Sequence, residues 1–197
     1  MYATVENNEI KQIITNPKSL VIGDVRYPAK IFQLWSQSEL NAIGIYEVIT
    51  DSTNKKDEKW YINTDESYAF SDNQVTRSWG TATPKAHADV TKTIDGVEST
   101  IPGLKTNLIK TLKQQVANEL AKTDWYITRN IEKSTAIPSA ISTHRDSVRT
   151  KQAEMETAIT NASDTPALET LYIYVNTGTE ENPVYERPLG ELPTLEI

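Results

Sequence analysis

Two apolar repeats with helical spacing occupy residues 104–162, and they constrain the fold more than any other feature of this sequence. In the first repeat the apolar positions share one side of a helical wheel, within an arc of roughly 140°. They are Leu108, Ile109, Leu112, Val116, Leu120, Ile127 and Ile131. A residue before proline avoids the helical region, so the helix is expected to break near residues 134–137. Pro138 suits the first turn of a second helix.

The second repeat alternates spacings of four and three residues, which is typical of a heptad seam. Its positions are Ile141, Arg145, Val148, Gln152, Met155, Ile159 and Ala162. Two helices with a short joint predict an antiparallel hairpin, although either helix could instead pair with copies of itself in an oligomer. On that alternative, the candidates for a partner interface are Ile141, Val148, Met155 and Ile159.

Residues 1–82 contain short extended runs and predict a small antiparallel β-rich domain with one short helix. Asn7 and Asn8 tolerate positive φ and therefore predict a tight hairpin turn. Ser36 and Glu39 have the spacing of a capping box at the start of the helix, and Gly44 is well placed to end it. Together with the helical repeats, these patterns predict the α+β fold class.

Two segments lack periodicity. Residues 83–103 are rich in Thr, Ala, Gly and Pro and are predicted to be a linker or extended arm, with a short strand within residues 87–97 as the alternative. The second segment without periodicity is residues 166–197, which are predicted to be an extended tail that orders only against a partner, with Tyr185 as a candidate contact.

Residues 104–165, between these two segments, form the predicted helical hairpin. Asp164 is expected to cap a short turn after it.

Charge and composition exclude several classes of function. The net charge of −7 argues against a protein that binds nucleic acid or an anionic membrane surface. The chain has no cysteine, which excludes disulfides, thiolate zinc sites and a thiol nucleophile and fits assembly in a reducing cytoplasm. We expect no signal peptide and no transmembrane helix, because no apolar run is long enough.

No motif predicts a catalytic site, a cofactor site or a metal site. The two histidines, His87 and His144, are predicted to be a solvated linker residue and a half-buried helix residue, because a metal centre needs three or four converging ligands. Ser142, His144 and Asp146 resemble a triad only in composition, since side chains two residues apart on a helix point in different directions. The sequence therefore predicts a protein that is not an enzyme.

Trp125 is the most unusual residue of the predicted first helix. With Arg129 it lies on the face opposite the apolar stripe, and residues four apart are neighbours on a helix. An arginine can lie across an indole ring, and Asp124 could balance its charge. Two interpretations lead. The helix could bend near Thr123 and bury Trp125 in its own core, or Trp125 could contact another chain.

A second aromatic group lies in the N-terminal part of the chain: Trp60, Tyr61, Tyr68 and Trp79. If these side chains lined a cleft, they would suggest a receptor- or glycan-binding module. The other interpretation is that they pack on one face of a sheet.

Three stretches carry a resemblance to a family of bacteriophage proteins: residues 27–48, residues 123–138 and the "HRDSVR" of residues 144–149. The chain resembles tail or tail-fibre associated proteins and tail assembly proteins of phages such as those that infect cyanobacteria. The matching positions include Tyr27-Pro28, Thr123-Asp124-Trp125, Ile137-Pro138 and Arg145 to Arg149.

The resemblance implies a non-enzymatic virion protein of the phage tail, at or near the tail fibres, that is assembled in the host cytoplasm. Its partners would be other tail or tail-fibre proteins or further copies of itself, with a trimer as the favoured number. The alternative is a tail-fibre assembly chaperone that is absent from the mature virion. Related chains often end soon after the second helix, whereas this one continues to residue 197, which favours a built-in component.

Overall fold

The computed structural model, which describes residues 1–195, divides the chain into two units, Met1–Thr83 and Pro84–Ile197. The elements up to the boundary are β1 (Tyr2–Glu6), β2 (Glu9–Ile14), β3 (Leu20–Ile22), β4 (Val25–Tyr27), α1 (Ile31–Leu34), α2 (Gln37–Ala42), β5 (Ile45–Thr50), β6 (Tyr61–Ile62), β7 (Ser67–Ser71), β8 (Gln74–Ser78) and β9 (Thr83–Pro84). Within the described residues, no helix is both long and apolar enough to cross a lipid bilayer.

Five strands of the first unit form one sheet in the order β2-β1-β5-β8-β7. Its central pair, β5 and β8, runs parallel with Val48 opposite Val75, whereas the other neighbours run antiparallel. The edge strands β2 and β7 also contact each other, so the sheet curls. Successive side chains of a strand point to opposite faces, and here both faces are covered. Ala3, Val48 and Val75 are buried on one face, while Ile45 on the other packs with α1, α2 and β3.

Local sequence signals fix the turns of this unit. Asn7 and Asn8 have φ of 52° and 63° and connect β1 to β2, which confirms the predicted turn. The Ser36 side chain accepts from the Glu39 backbone and the Glu39 carboxylate accepts from the Ser36 backbone, so the capping box is confirmed. Gly44 follows α2 at φ +80°, and a Cβ there would lie 2.6 Å from the Val5 carbonyl oxygen.

The second unit contains a hairpin followed by helices. Its elements are β10 (Val90–Ile94), β11 (Val97–Ile101), α3 (Leu104–Ala121), α4 (Asp124–Lys133), α5 (Ser139–Asn161), α6 (Thr165–Tyr172), β12 (Val175–Asn176) and β13 (Tyr185–Glu186). Helices α3 and α5 pack against each other. Their apolar stripes supply most of the buried core of this unit, which includes Leu112, Val116, Ile141, Val148, Met155 and Ile159.

The predicted fold class is wrong. The chain is mixed α/β, with a curled five-stranded sheet, several two-stranded sheets and six helices among the described residues. The sheet contains a parallel pair, because the chain passes through residues 51–73 before β8 pairs with β5. The segment predicted as a linker holds the β10–β11 hairpin.

Two further parts of that prediction fail for physical reasons. The first predicted helix is divided into α3 and α4, because the backbone leaves helical geometry at Thr123, with φ of −118° and ψ of 4°. The predicted extended tail contains the β12–β13 pair and packs on its own unit. Leu189 is only 3% exposed, and its N–H donates to the Leu171 carbonyl at 3.0 Å.

Candidate partner interface

The junction between α3 and α4 is built around a buried threonine. Helix α3 ends at Ala121, and Thr123 is fully buried between the two helices. Its backbone N–H and its hydroxyl both donate to the Leu120 carbonyl, each at 3.0 Å. These bonds satisfy a carbonyl that the end of a helix leaves without a helical partner. The chain can therefore turn at Thr123 and begin a new helix at Asp124.

Arg145 of α5 fixes this junction from the other side. Its Nη1 donates to the Leu120 carbonyl at 2.8 Å, to Thr123 Oγ1 at 2.6 Å and to Asp124 Oδ1 at 2.8 Å. We call this set of contacts the Arg145 bridge. Arg145 is 8% exposed, and a buried charge requires such partners. Two stretches that carry the phage resemblance, residues 123–138 and 144–149, thus meet at one point.

A second polar contact links α3 to α5 through the residues that directly precede Leu120 and Arg145. Glu119 Oε1 lies 3.3 Å from His144 Nε2, and both side chains are at least nine-tenths buried. Lys122 Nζ donates to the other carboxylate oxygen of Glu119 at 2.5 Å. The hydrogen bond from Lys122 holds the pKa of Glu119 below its ordinary value, against the opposing effect of burial.

Helix α4 begins at this fixed junction but buries none of its own residues. Trp125 is 51% exposed, and the Arg129 guanidinium lies 5.8 Å from the centre of its ring. The ring of half-buried Tyr126 lies 3.9 Å from that of Trp125. These three residues form what we call the Trp125 face. Ile131, on another side of the helix, is 77% exposed.

The structure separates the residues predicted to contact partners into two groups. Trp125, Arg129 and Tyr185 are exposed, and Asp124 is exposed although it is paired with Arg145. The seam residues lie in the core of this chain, where they are not available to a partner. Their exposures are 6%, 0%, 2% and 0% for Ile141, Val148, Met155 and Ile159.

Tyr185 on β13 lies beside a small surface cleft. The cleft has a volume of about 300 Å³ and is also lined by Tyr174, Arg187 and Glu191. Arg187 pairs with Glu191 at 2.6 Å and lies 6.0 Å from the ring centre of Tyr174. The Tyr174 hydroxyl donates to the same carboxylate. The polar groups of Tyr174, Arg187 and Glu191 are therefore partnered within the tail itself.

The aromatic residues of the first unit do not form an open cleft. Trp60, Tyr61 and Trp79 are buried, with exposures of 3%, 3% and 7%. Tyr68 packs against the buried cluster inside the curled sheet. The Lys59 ammonium covers the Trp60 ring at 4.4 Å, a cation–π contact that closes this surface further. These side chains give no support to a glycan-binding cleft.

Searches against protein-family models, curated proteins and solved structures found no match. The resemblance to phage tail proteins therefore stays a prediction. Across residues 1–195, no cluster of three or more His, Asp or Glu side chains is arranged to hold a metal ion.

Two features of this unit are not predicted by the sequence patterns described above. Arg145 is predicted from its spacing only as one position of the heptad seam, whereas the tertiary structure places its guanidinium at the end of α3. The β10–β11 hairpin could have been predicted from Asp95-Gly96, because this dipeptide favours a two-residue turn between two strands in which apolar and polar residues alternate.

Proposed function

We propose that this chain is a non-enzymatic structural protein of a phage tail, at or near the fibres, and that it works by binding other polypeptides. The observation that carries the protein-binding role is the half-exposed Trp125, presented on a helix whose first residue is fixed by Arg145. The tail location is supported by the resemblance of residues 123–138 and 144–149, which contain Thr123, Asp124 and Arg145 of the Arg145 bridge.

The composition of the Trp125 face favours a partner contact. Tryptophan, tyrosine and arginine are enriched among the residues that dominate binding energy at protein interfaces. A tryptophan buries about 150–250 Å². Covering its exposed half would add on the order of 100 Å² and about 2–3 kcal/mol. The face therefore has enough unburied apolar surface to anchor a contact.

The rigid base of α4 adds to this argument. Ordering a mobile segment costs free energy on binding, and a segment held beforehand avoids that cost. The Arg145 bridge holds Thr123 and Asp124, directly before Trp125. A partner would therefore meet the indole in a position that is already set.

The test of binding uses the full chain, immobilised and presented with the purified fibre and neighbouring tail proteins of the phage that encodes it. Trp125→Ala should lower the affinity for one of them about 30-fold, which is the threshold for a dominant interface residue. Trp35→Ala is the matched control, because it removes another exposed indole (36%) from the first unit. Equal effects of the two substitutions would contradict a specific role for the Trp125 face.

The test of location is mass spectrometry of purified particles. We expect the chain in mature virions at a fixed ratio to the fibre protein. Abundance in infected-cell lysate combined with absence from particles would contradict a structural role and favour the assembly chaperone.

A further inference from the structure

The β10–β11 hairpin carries all its apolar side chains on one face, and that face is exposed. Asp95 and Gly96 form its turn, with φ of 52° and 81°, as a type I′ turn requires. Residues opposite each other in the register share a face. One face holds Val90, Lys92, Ile94, Val97, Ser99 and Ile101, and the other holds Thr91, Thr93, Glu98 and Thr100. Every one of these residues is exposed.

The root of the hairpin is fixed to the start of α3. Asp89 Oδ1 accepts from the Gly103 N–H at 2.8 Å and from the Thr106 hydroxyl at 2.6 Å. A Cβ on Gly103 would lie 2.3 Å from the Ala88 carbonyl oxygen, so only glycine allows this approach. The hairpin is thus a firmly rooted arm with two free edges among the described residues.

The hydrogen-bonding groups on each free edge follow from the turn. In a two-residue hairpin the closing pair, here Ile94 and Val97, exchanges hydrogen bonds, and the pattern then alternates along both strands. The outward N–H and C=O groups consequently belong to Thr91 and Thr93 on β10 and to Glu98 and Thr100 on β11. An edge of this kind is a template for another strand.

We propose that β11 pairs with β11 of a second copy of this chain, antiparallel and in full overlap, with the two-fold axis at Ser99. Glu98 of each copy then lies opposite Thr100 of the other, so that four backbone hydrogen bonds form. Val97 lies opposite Ile101 on the apolar face, and the two Glu98 carboxylates are diagonal instead of opposite. This surface is separate from the Trp125 face and does not depend on the function proposed above.

Charge distinguishes the β11 edge of the hairpin from the β10 edge. Full overlap of two β10 strands would place Lys92 directly opposite Lys92 of the second copy, and like charges opposite each other destabilise a sheet. Lysine is a common means of blocking an edge strand. Ser99, the residue opposite Lys92 in the hairpin, carries no charge. The β11 edge can therefore accept a second copy, whereas the β10 edge disfavours one.

Bulk distinguishes the two-fold pair from an open stack. In an open stack, β10 of one copy would pair with β11 of the next. The hairpins would then follow each other every two strands, about 10 Å apart, and all their roots would lie at the same end. Each root carries the packed α3–α5 pair, about 20 Å across because one helix is about 10 Å wide. The two-fold arrangement places the roots at opposite ends and avoids this crowding.

The affinity should be modest, because two five-residue strands bury less than the roughly 1,200–2,000 Å² of a stable interface. Sedimentation equilibrium of the full chain over a range of concentrations should show a reversible monomer–dimer equilibrium. Thr100→Pro removes an outward N–H and should raise the dimer dissociation constant about tenfold or more. Thr91→Pro is the matched control on the opposite edge, because Thr91 and Thr100 are partners in the register. It should change the constant by less than about twofold.

A second variant covers the case in which proline disturbs the hairpin itself. Ser99→Lys keeps every backbone group and places two lysines at the two-fold axis, so it should also favour the monomer. Trp125→Ala should leave the equilibrium unchanged, which separates this result from the test of the Trp125 face. A chain that stays monomeric at every concentration, forms a trimer or grows without limit overturns the proposal. So does a dimer that tolerates both Thr100→Pro and Ser99→Lys, or one that Thr91→Pro weakens equally.

Discussion

Replacing Arg145 with methionine tests whether the Arg145 bridge holds α3, α4 and α5 together. Methionine keeps most of the aliphatic length and removes the guanidinium. The substitution loses one charged donor shared by three acceptors. Hydrogen bonds to charged groups contribute about 1.5–3 kcal/mol. Removing one partner of a fully buried ion pair costs about 3–5 kcal/mol.

The lower range applies here because of what remains after the substitution. Leu120 keeps the hydrogen bonds from Thr123, and the Asp124 side chain is 59% exposed, so water can replace the arginine. We therefore expect a loss of about 2 kcal/mol in the free energy of unfolding. In the Arg145→Met background, Asp124→Asn should cost almost nothing more, because the two changes break the same contact.

Urea denaturation of the full chain, followed by circular dichroism at 222 nm, measures this loss, since the long helices all lie in the second unit. Arg149→Met is the control. Arg149 lies on the same helix and forms an exposed pair with Asp146, so its loss should stay below about 0.5 kcal/mol. If both variants lose the same amount, the bridge does not stabilise the junction.

Two further predictions concern stability. Glu119 has a pKa below its ordinary value in the folded chain, so the unfolded chain binds more protons and stability falls as pH drops through that folded pKa. Glu119→Gln should weaken the pH dependence of the urea midpoint between about pH 5 and pH 3. Glu154→Gln, at an exposed position, should leave that pH dependence as in the wild type. Gly44→Ala places a Cβ against the Val5 carbonyl at positive φ and should cost at least about 1 kcal/mol. A thermal midpoint equal to wild type would contradict that account.

Signals that act within a few residues could be predicted from the sequence. The turn at Asn7-Asn8, the capping box of Ser36 and the cap at Asp164 all rest on one side chain and its nearest backbone, and all three are confirmed. The apolar stripe of α3 could be predicted for the same reason, because the spacing of its residues follows from the period of the helix itself.

Features that depend on distant parts of the chain could not be predicted in this way. The division of the first helix places Thr123 against Arg145, more than twenty positions further along the chain. The parallel pairing of β5 with β8 depends on how the intervening segment returns to the sheet. For the candidate interface, sequence periodicity could not decide whether Ile141 and Val148 face a partner or their own core, because both demand the same apolar pattern.

The root of the β10–β11 hairpin has a consequence for how this protein can diverge. The clamp consists of Asp89, Gly103 and Thr106 and needs nothing from the residues between Val90 and Ile101. Pairs of residues could be gained or lost near the tip during evolution without disturbing the helices. Any lineage that lost Gly103 would have to rebuild the join between arm and body, so the arm can change its length far more readily than its anchor.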